Sequence, residues 1–135
     1  MKICFAFVII AIMFGWNAAC AAERHASSPI KGICGVSGAT TADIRQAVLK
    51  SKSVTFHENL GEYETFIDER KRRLWTFTRA SSKLPSSSVC RTIVPKGSGS
   101  EVTMEIVCFG QNDECNALRN DWTVFLSSQL RAVQQ

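Results

Sequence analysis

From Val54 to Cys108 apolar side chains return at every second position, and no other feature of this 135-residue chain restricts its fold as much. The cleanest run is the last, with Val102, Met104, Ile106 and Cys108 on one side and Glu101, Thr103 and Glu105 on the other. A period of two is the spacing of a pleated strand with one buried and one wetted face, as in an antiparallel sheet. Val54 and Phe56 alternate in the same way with Thr55 and His57. Tyr63, Thr65 and Ile67 alternate with Glu62, Glu64 and Phe66, and Trp75 and Phe77 with Leu74, Thr76 and Thr78. The charged stretch Asp68–Arg72 makes the turn between the second and third of these strands. Ser81–Ser88, with Pro85, is a polar connection, and Val89–Val94 pairs with Glu101–Cys108 around Pro95–Ser100.

On either side of this block the period is 3.6. Thr40-Thr41-Ala42-Asp43 places a threonine cap before an acid in the first turn, Ile44, Ala47 and Val48 share a face, and Lys50 and Lys52 sit at the far end. This predicts a helix from about Thr41 to Ser51. Asn112-Asp113-Glu114 opens a second helix, on which Cys115, Leu118, Trp122, Phe125, Leu126, Leu130 and Val133 form a stripe wide enough to cover a sheet face. The expected fold is therefore α+β: an antiparallel meander of about five strands, with an N-terminal and a C-terminal helix on one face, in a single domain over 40–135. Residues 23–39, rich in Ser and Gly and lacking periodicity, read as a leader arm pinned at Cys34.

The overall hydrophobic fraction of 45% is inflated by the first 22 residues, which hold 19 of the apolar positions. Met1-Lys2 is a short positive end, Ile3–Trp16 is uncharged and apolar, and small residues follow at Ala18, Ala19, Ala21 and Ala22. That is the layout of a secretory signal peptide over 1–22, cleaved after Ala19, Ala21 or Ala22. Two alternatives use the same residues: an uncleaved anchor, since Ile3–Ala22 is about the ~20 residues that span a bilayer, and an outer-membrane lipoprotein acylated on Cys20. Asn17-Ala18-Ala19-Cys20 is close to a lipobox but has Asn where Leu is usual. No other stretch is long and apolar enough to span a membrane. The chain has no N-x-[ST] sequon, which favours a bacterial periplasm or cell exterior over a eukaryotic secretory route.

Export changes what the cysteines mean. Of the six, Cys4 and Cys20 fall in the signal segment, leaving Cys34, Cys90, Cys108 and Cys115, an even number for which oxidised pairs are expected. Three pairings exist. Cys108 with Cys115 and Cys34 with Cys90 is preferred, because the first closes a short strand-to-helix loop and the second ties the N-terminal arm to the sheet. Each bridge contributes about 2–4 kcal/mol. A metal site is disfavoured, because there is no C-x-x-C and the only histidines, His25 and His57, are not at ligand spacing to a cysteine. No cofactor is expected. Removing Lys2 lowers the formal charge from +4 to +3, too mild to argue for nucleic acid. The basic run Arg70-Lys71-Arg72-Arg73 could meet an anionic surface, although Asp68-Glu69 directly before it and Glu62 and Glu64 nearby suit a solvated hairpin tip.

Catalytic constellations are hard to assemble. Serines cluster in loops, no G-x-S-x-G elbow occurs, and His57 sits beside Phe56 and Glu58 as a surface strand residue would. Glu62, Glu64, Glu101 and Glu105 could supply paired carboxylates for a small hydrolase or glycan-binding enzyme, but on alternating strands they belong to a solvent face. Tyr63, Trp75, Phe77 and Trp122 could form an aromatic binding patch if one sheet face is open; core packing is the competing use.

Leu74-Trp75-Thr76-Phe77-Thr78, Pro85, Val89-Cys90-Arg91, Met104, Cys108, Cys115 and Leu118 together resemble a pattern in small exported proteins of Proteobacteria without assigned function. The resemblance covers roughly residues 62–126. It implies a compact exported domain with the second and third of the four cysteines on strands and the last on the C-terminal helix, and it brings no catalytic residues. Lysozyme inhibitors and immunity proteins against secreted toxins share this outline at the level of architecture only. The expected function is a non-enzymatic periplasmic or secreted protein acting by protein–protein contact, in envelope maintenance, toxin or lysozyme neutralisation, or host interaction. Tyr63, Trp75, Phe77 and Arg70–Arg73 are its candidate surface.

Overall fold

The computed structural model describes residues 30–133. The signal segment, its cleavage sites and Cys20 lie outside the described residues. A two-stranded hairpin, Lys31–Ile33 (β1) and Val36–Gly38 (β2), leads into a helix, Thr41–Leu49 (α1). Five strands follow: Val54–Leu60 (β3), Tyr63–Asp68 (β4), Arg73–Thr78 (β5), Ser87–Lys96 (β6) and Gly99–Cys108 (β7). A long helix, Asn112–Val133 (α2), closes the described chain. The five strands lie in sequence order, each antiparallel to the next, so the fold is the expected α+β meander.

Local chemistry accounts for the ends of these elements. Thr40 caps α1: its backbone is extended and its Oγ1 accepts from the Asp43 N–H at 3.1 Å, which satisfies one of the open donors of the first turn. Gly38 packs so closely on α1 that a Cβ there would lie 2.8 Å from the Asp43 Cβ, so only glycine lets the hairpin meet the helix. The residues assigned to a leader arm therefore include a structured hairpin. Its loop is the dipeptide Cys34-Gly35, both at positive φ (49° and 76°), as a tight two-residue turn matching strand twist requires.

The two helices pack on opposite faces of the sheet, whereas the expectation placed them together. In β6 the neighbours Val89 and Cys90 point opposite ways, and each belongs to a different core. Ile44 and Val48 of α1, with Ile33 of the hairpin, pack on Phe66, Trp75, Phe77, Cys90 and Val107. Leu118 and Trp122 of α2 pack on Val89, with Leu60, Tyr63, Met104, Ile106 and Phe125 around them. The physical reason is that several strands are apolar on both sides. Phe66 beside Ile67 and Leu74 beside Trp75 give each face side chains to bury, and one layer of helices cannot cover both.

Each cover is tied to the sheet by one disulfide, with the preferred connectivity. Cys34–Cys90 joins the β1–β2 turn to β6, and Cys108–Cys115 joins the end of β7 to the first turn of α2. The polar connection is shorter than expected, because β6 starts at Ser87. Ser87 and Ser88 are fully buried, and Thr78 Oγ1 lies 2.7 Å from Ser87 Oγ and accepts from the Ser87 N–H at 3.1 Å. The β5–β6 register ends at Arg73 and Thr92, with one further bond from the Ile93 N–H to the Arg72 carbonyl at 3.0 Å, so the far part of the β6–β7 hairpin, Val94 to Glu101, projects as a two-stranded arm. Pro95 lies within its first strand, on an edge where no ladder donor is needed.

Candidate binding cavity beneath the C-terminal helix

The sheet register separates the aromatic side chains expected to share a surface. Tyr63 pairs with Thr78 and faces α2, meeting Trp122 edge-to-face with centroids 5.2 Å apart. Trp75 and Phe77 point to the other face, stacked at 6.1 Å, and are 2% and 0% exposed. Trp75 and Phe77 are thus core residues beneath α1, and Tyr63 alone retains some exposure. Burial holds the Tyr63 phenol above its usual pKa, and the negative charges of Asp121 and Glu62 add to that. The indole N–H of Trp122, which meets no acceptor in good geometry, opposes the shift only in part.

Arg70, Lys71 and Arg72 are exposed at the β4–β5 turn, but Arg73 is half-buried and donates from Nη1 to the Cys34 carbonyl at 3.0 Å. The four basic residues therefore do not act as one patch. The candidate carboxylates are dispersed and engaged. Arg45 grips Glu64 through Nε and Nη2, Lys96 pairs with Glu101 at 2.9 Å, and Glu105 accepts the Cys34 N–H at 2.8 Å. Glu62 is exposed in the β3–β4 turn. His57 is exposed, with Glu58 3.5 Å away. Among the described residues no group of three His, Cys, Asp or Glu converges as a metal site.

Among the described residues one concave feature lies on the α2 face and another, of about 600 Å³, is lined by Thr41, Arg45, Glu64 and Thr78; the first is the more apolar. Cys115, Leu118 and Trp122 hold the first half of α2 against the sheet, each 4% exposed. Beyond them Phe125 and Leu126 are only half-buried, and Leu130 is 41% exposed. A cavity of about 570 Å³ opens between this second half of the helix and the sheet. Ile67, Leu74, Ile93 and Val102 form its floor, and Leu126 and Leu130 its roof. Its volume falls within the ~300–1,000 Å³ usual for ligand sites.

The cavity wall also carries charged residues, Asp68, Glu69, Arg72 and Arg73 besides Arg91. Of the basic groups among them Arg91 is the most buried. Arg91, on β6 between Val89 and Ile93, is 7% exposed. Its guanidinium lies over the rings of Trp122 and Phe125, at 5.4 and 5.7 Å from their centroids. Its hydrogen bonds are long: Nη1 to Gln129 Oε1 at 3.5 Å and Nη2 to Thr76 Oγ1 at 3.4 Å. Nε is buried with no acceptor. Burial depresses its pKa below the usual arginine value, and Glu58 pulls weakly the other way; an arginine remains cationic at neutral pH even so.

Sequence reasoning named Arg91 only as part of a pattern and missed its burial. The available signal was positional: Val89, Arg91 and Ile93 share the inward parity of a period-two strand, where an arginine is out of place without a partner. Compared with protein-family models, with curated proteins and with solved structures, the chain matches none.

Proposed function

We propose that this chain is an exported, non-enzymatic protein of a bacterial periplasm or exterior that works by contact with another protein. The observation that carries this reading is the projecting arm. Ile93 and Val94 are 49% and 39% exposed where the β6–β7 hairpin leaves the sheet: Ile93 still donates its N–H to the Arg72 carbonyl at 3.0 Å, and from Val94 onward the two strands pair only with each other. Large apolar side chains on such an extension fit a partner surface better than solvent. Pro95 and Lys96 block simple strand addition along the arm's edge, so recognition would use side chains. The engaged carboxylates support the non-enzymatic reading, since each acid of the hydrolase alternative except Glu62 already has a structural partner. Two disulfides are compatible with an oxidising compartment, and among the described residues no helix is long and apolar enough to cross a membrane.

The test places a photo-crosslinking amino acid at Val94 and, as a control, at Val124, which is 70% exposed on the outer side of α2. In the envelope and medium of cells exporting the protein, a discrete adduct from position 94 and none from position 124 is expected. Equal labelling from both positions, or none from either, would sink the contact reading.

A further inference from the structure

The cavity beneath α2 combines two features rarely left without purpose. Its floor and roof are aliphatic, with Ile67, Leu74 and Ile93 facing Leu126 and Leu130. An empty space so lined offers water few hydrogen bonds and suits an apolar guest. At its wall stands Arg91, nine-tenths buried, whose Nε meets no acceptor and whose other donors make only long contacts. Removing a guanidinium from water without a carboxylate partner is unfavourable. Among the described residues the ion pairs are Arg45–Glu64, His57–Glu58 and Lys96–Glu101, none of which includes Arg91. Asp68, also on the cavity wall, cannot serve Arg91, since its Oδ1 accepts from Ser53 Oγ at 2.9 Å and from the Lys71 N–H at 3.3 Å.

A planar fork of N–H donors at the wall of an aliphatic slot is complementary to an anionic oxygen head on a hydrocarbon chain. We propose that this cavity binds a single-chain amphiphile, its carboxylate or phosphate head on Arg91 and its chain between the strands and the second half of α2. Two sources share that chemistry, a free fatty acid and a single-chain phospholipid. The site shares Ile93 with the base of the arm but does not rest on the partner-contact reading. Occupancy would complete the partial burial of Leu126, Leu130 and Ile93, and give the guanidinium the anion it lacks.

The experiment is a calorimetric titration of the full exported chain, disulfides intact, with dodecanoate below its micelle-forming concentration. Parallel titrations use dodecyl phosphate, dodecanol, dodecyltrimethylammonium and acetate. At least one of the two anionic amphiphiles should bind at one per chain, with dodecanol at least tenfold weaker and acetate and the cation inert. Tighter binding of dodecanoate points to a fatty acid, and of dodecyl phosphate to a phospholipid. Arg91→Gln should lower anion affinity to that of dodecanol. Because Arg91 packs over two aromatic rings, Leu130→Asp at the exposed mouth is the second variant, expected to weaken binding tenfold or more with the circular dichroism unchanged. Absence of binding, equal affinity for dodecanol and dodecanoate, or unchanged binding in folded Leu130→Asp overturns the proposal. Binding seen only after removal of the residues before Ile30 would assign the cavity to the chain's own leader, and overturns it too.

Discussion

Tyr63 is the only tyrosine in the chain, so one phenol reports on the packing of α2 against the sheet. Its pKa is raised by burial first, then by Asp121 and Glu62. A neutral phenol in the folded state and a phenolate in the unfolded state means the folded form holds more protons above about pH 10. Stability should therefore fall as pH rises past that value until the folded phenol also ionises. We expect phenolate absorbance to rise at higher pH in the folded protein than in denaturant, and Tyr63→Phe to flatten the loss of stability above pH 10. Coincident titrations in the two states would refute this. Single residues were the least legible in the sequence. Ser87 and Ser88 look like loop residues because serine favours loops, yet the Thr78 hydroxyl satisfies Ser87 and lets the strand begin early. Arg91 looks like surface because arginine is seldom buried, and only its parity with Val89 and Ile93 says otherwise.

At the scale of elements, the period read the strands closely and the helix starts at Thr41 and Asn112 almost to the residue. It could not read which face each helix covers. Periodicity states which side chains share a face; choosing between two faces needs the tertiary packing. The hint lay in paired neighbours such as Phe66-Ile67, Leu74-Trp75 and Val89-Cys90, apolar on both parities and so fit for a strand covered on two sides. The covers depend on their cystines unequally. Cys34–Cys90 spans 56 residues and Cys108–Cys115 spans 7. Loop-closure entropy assigns them about 4 and about 2.5 kcal/mol respectively. Replacing Cys34 and Cys90 together by alanine should lower the denaturation midpoint by clearly more than replacing Cys108 and Cys115 together. A reversed order in urea titrations would show that packing, and not closure of the unfolded chain, governs the difference. The Cys34-Gly35 turn adds to the first cost, since Glu105 and Arg73 also fasten it.

For the molecule as a whole, burial is concentrated midway along the sheet. Phe66, Trp75, Phe77, Val89 and Cys90 are all buried, and their strands β4, β5 and β6 each have a hydrogen-bonded neighbour on both sides. Amides there should exchange with deuterium only on global unfolding, while those of the arm beyond Ile93 exchange through local opening. Protection of Val94 or Glu101 equal to that of Phe77 would mean that the arm is docked in solution. The architecture as a class was legible because a meander uses only neighbouring strands, which local pattern can reveal. The cavity was not legible, because it arises from where α2 stops being buried, a property no single segment encodes.

The two cystines join the four cysteines in order, first with second and third with fourth, without crossing. A chain threaded outward from its N-terminus presents Cys90 while Cys34 is its one available mate among these four, and Cys115 when only Cys108 remains. For a chain exported in that way, oxidation of each cysteine as it emerged would produce this set with an electron acceptor and without reshuffling of mispaired bonds.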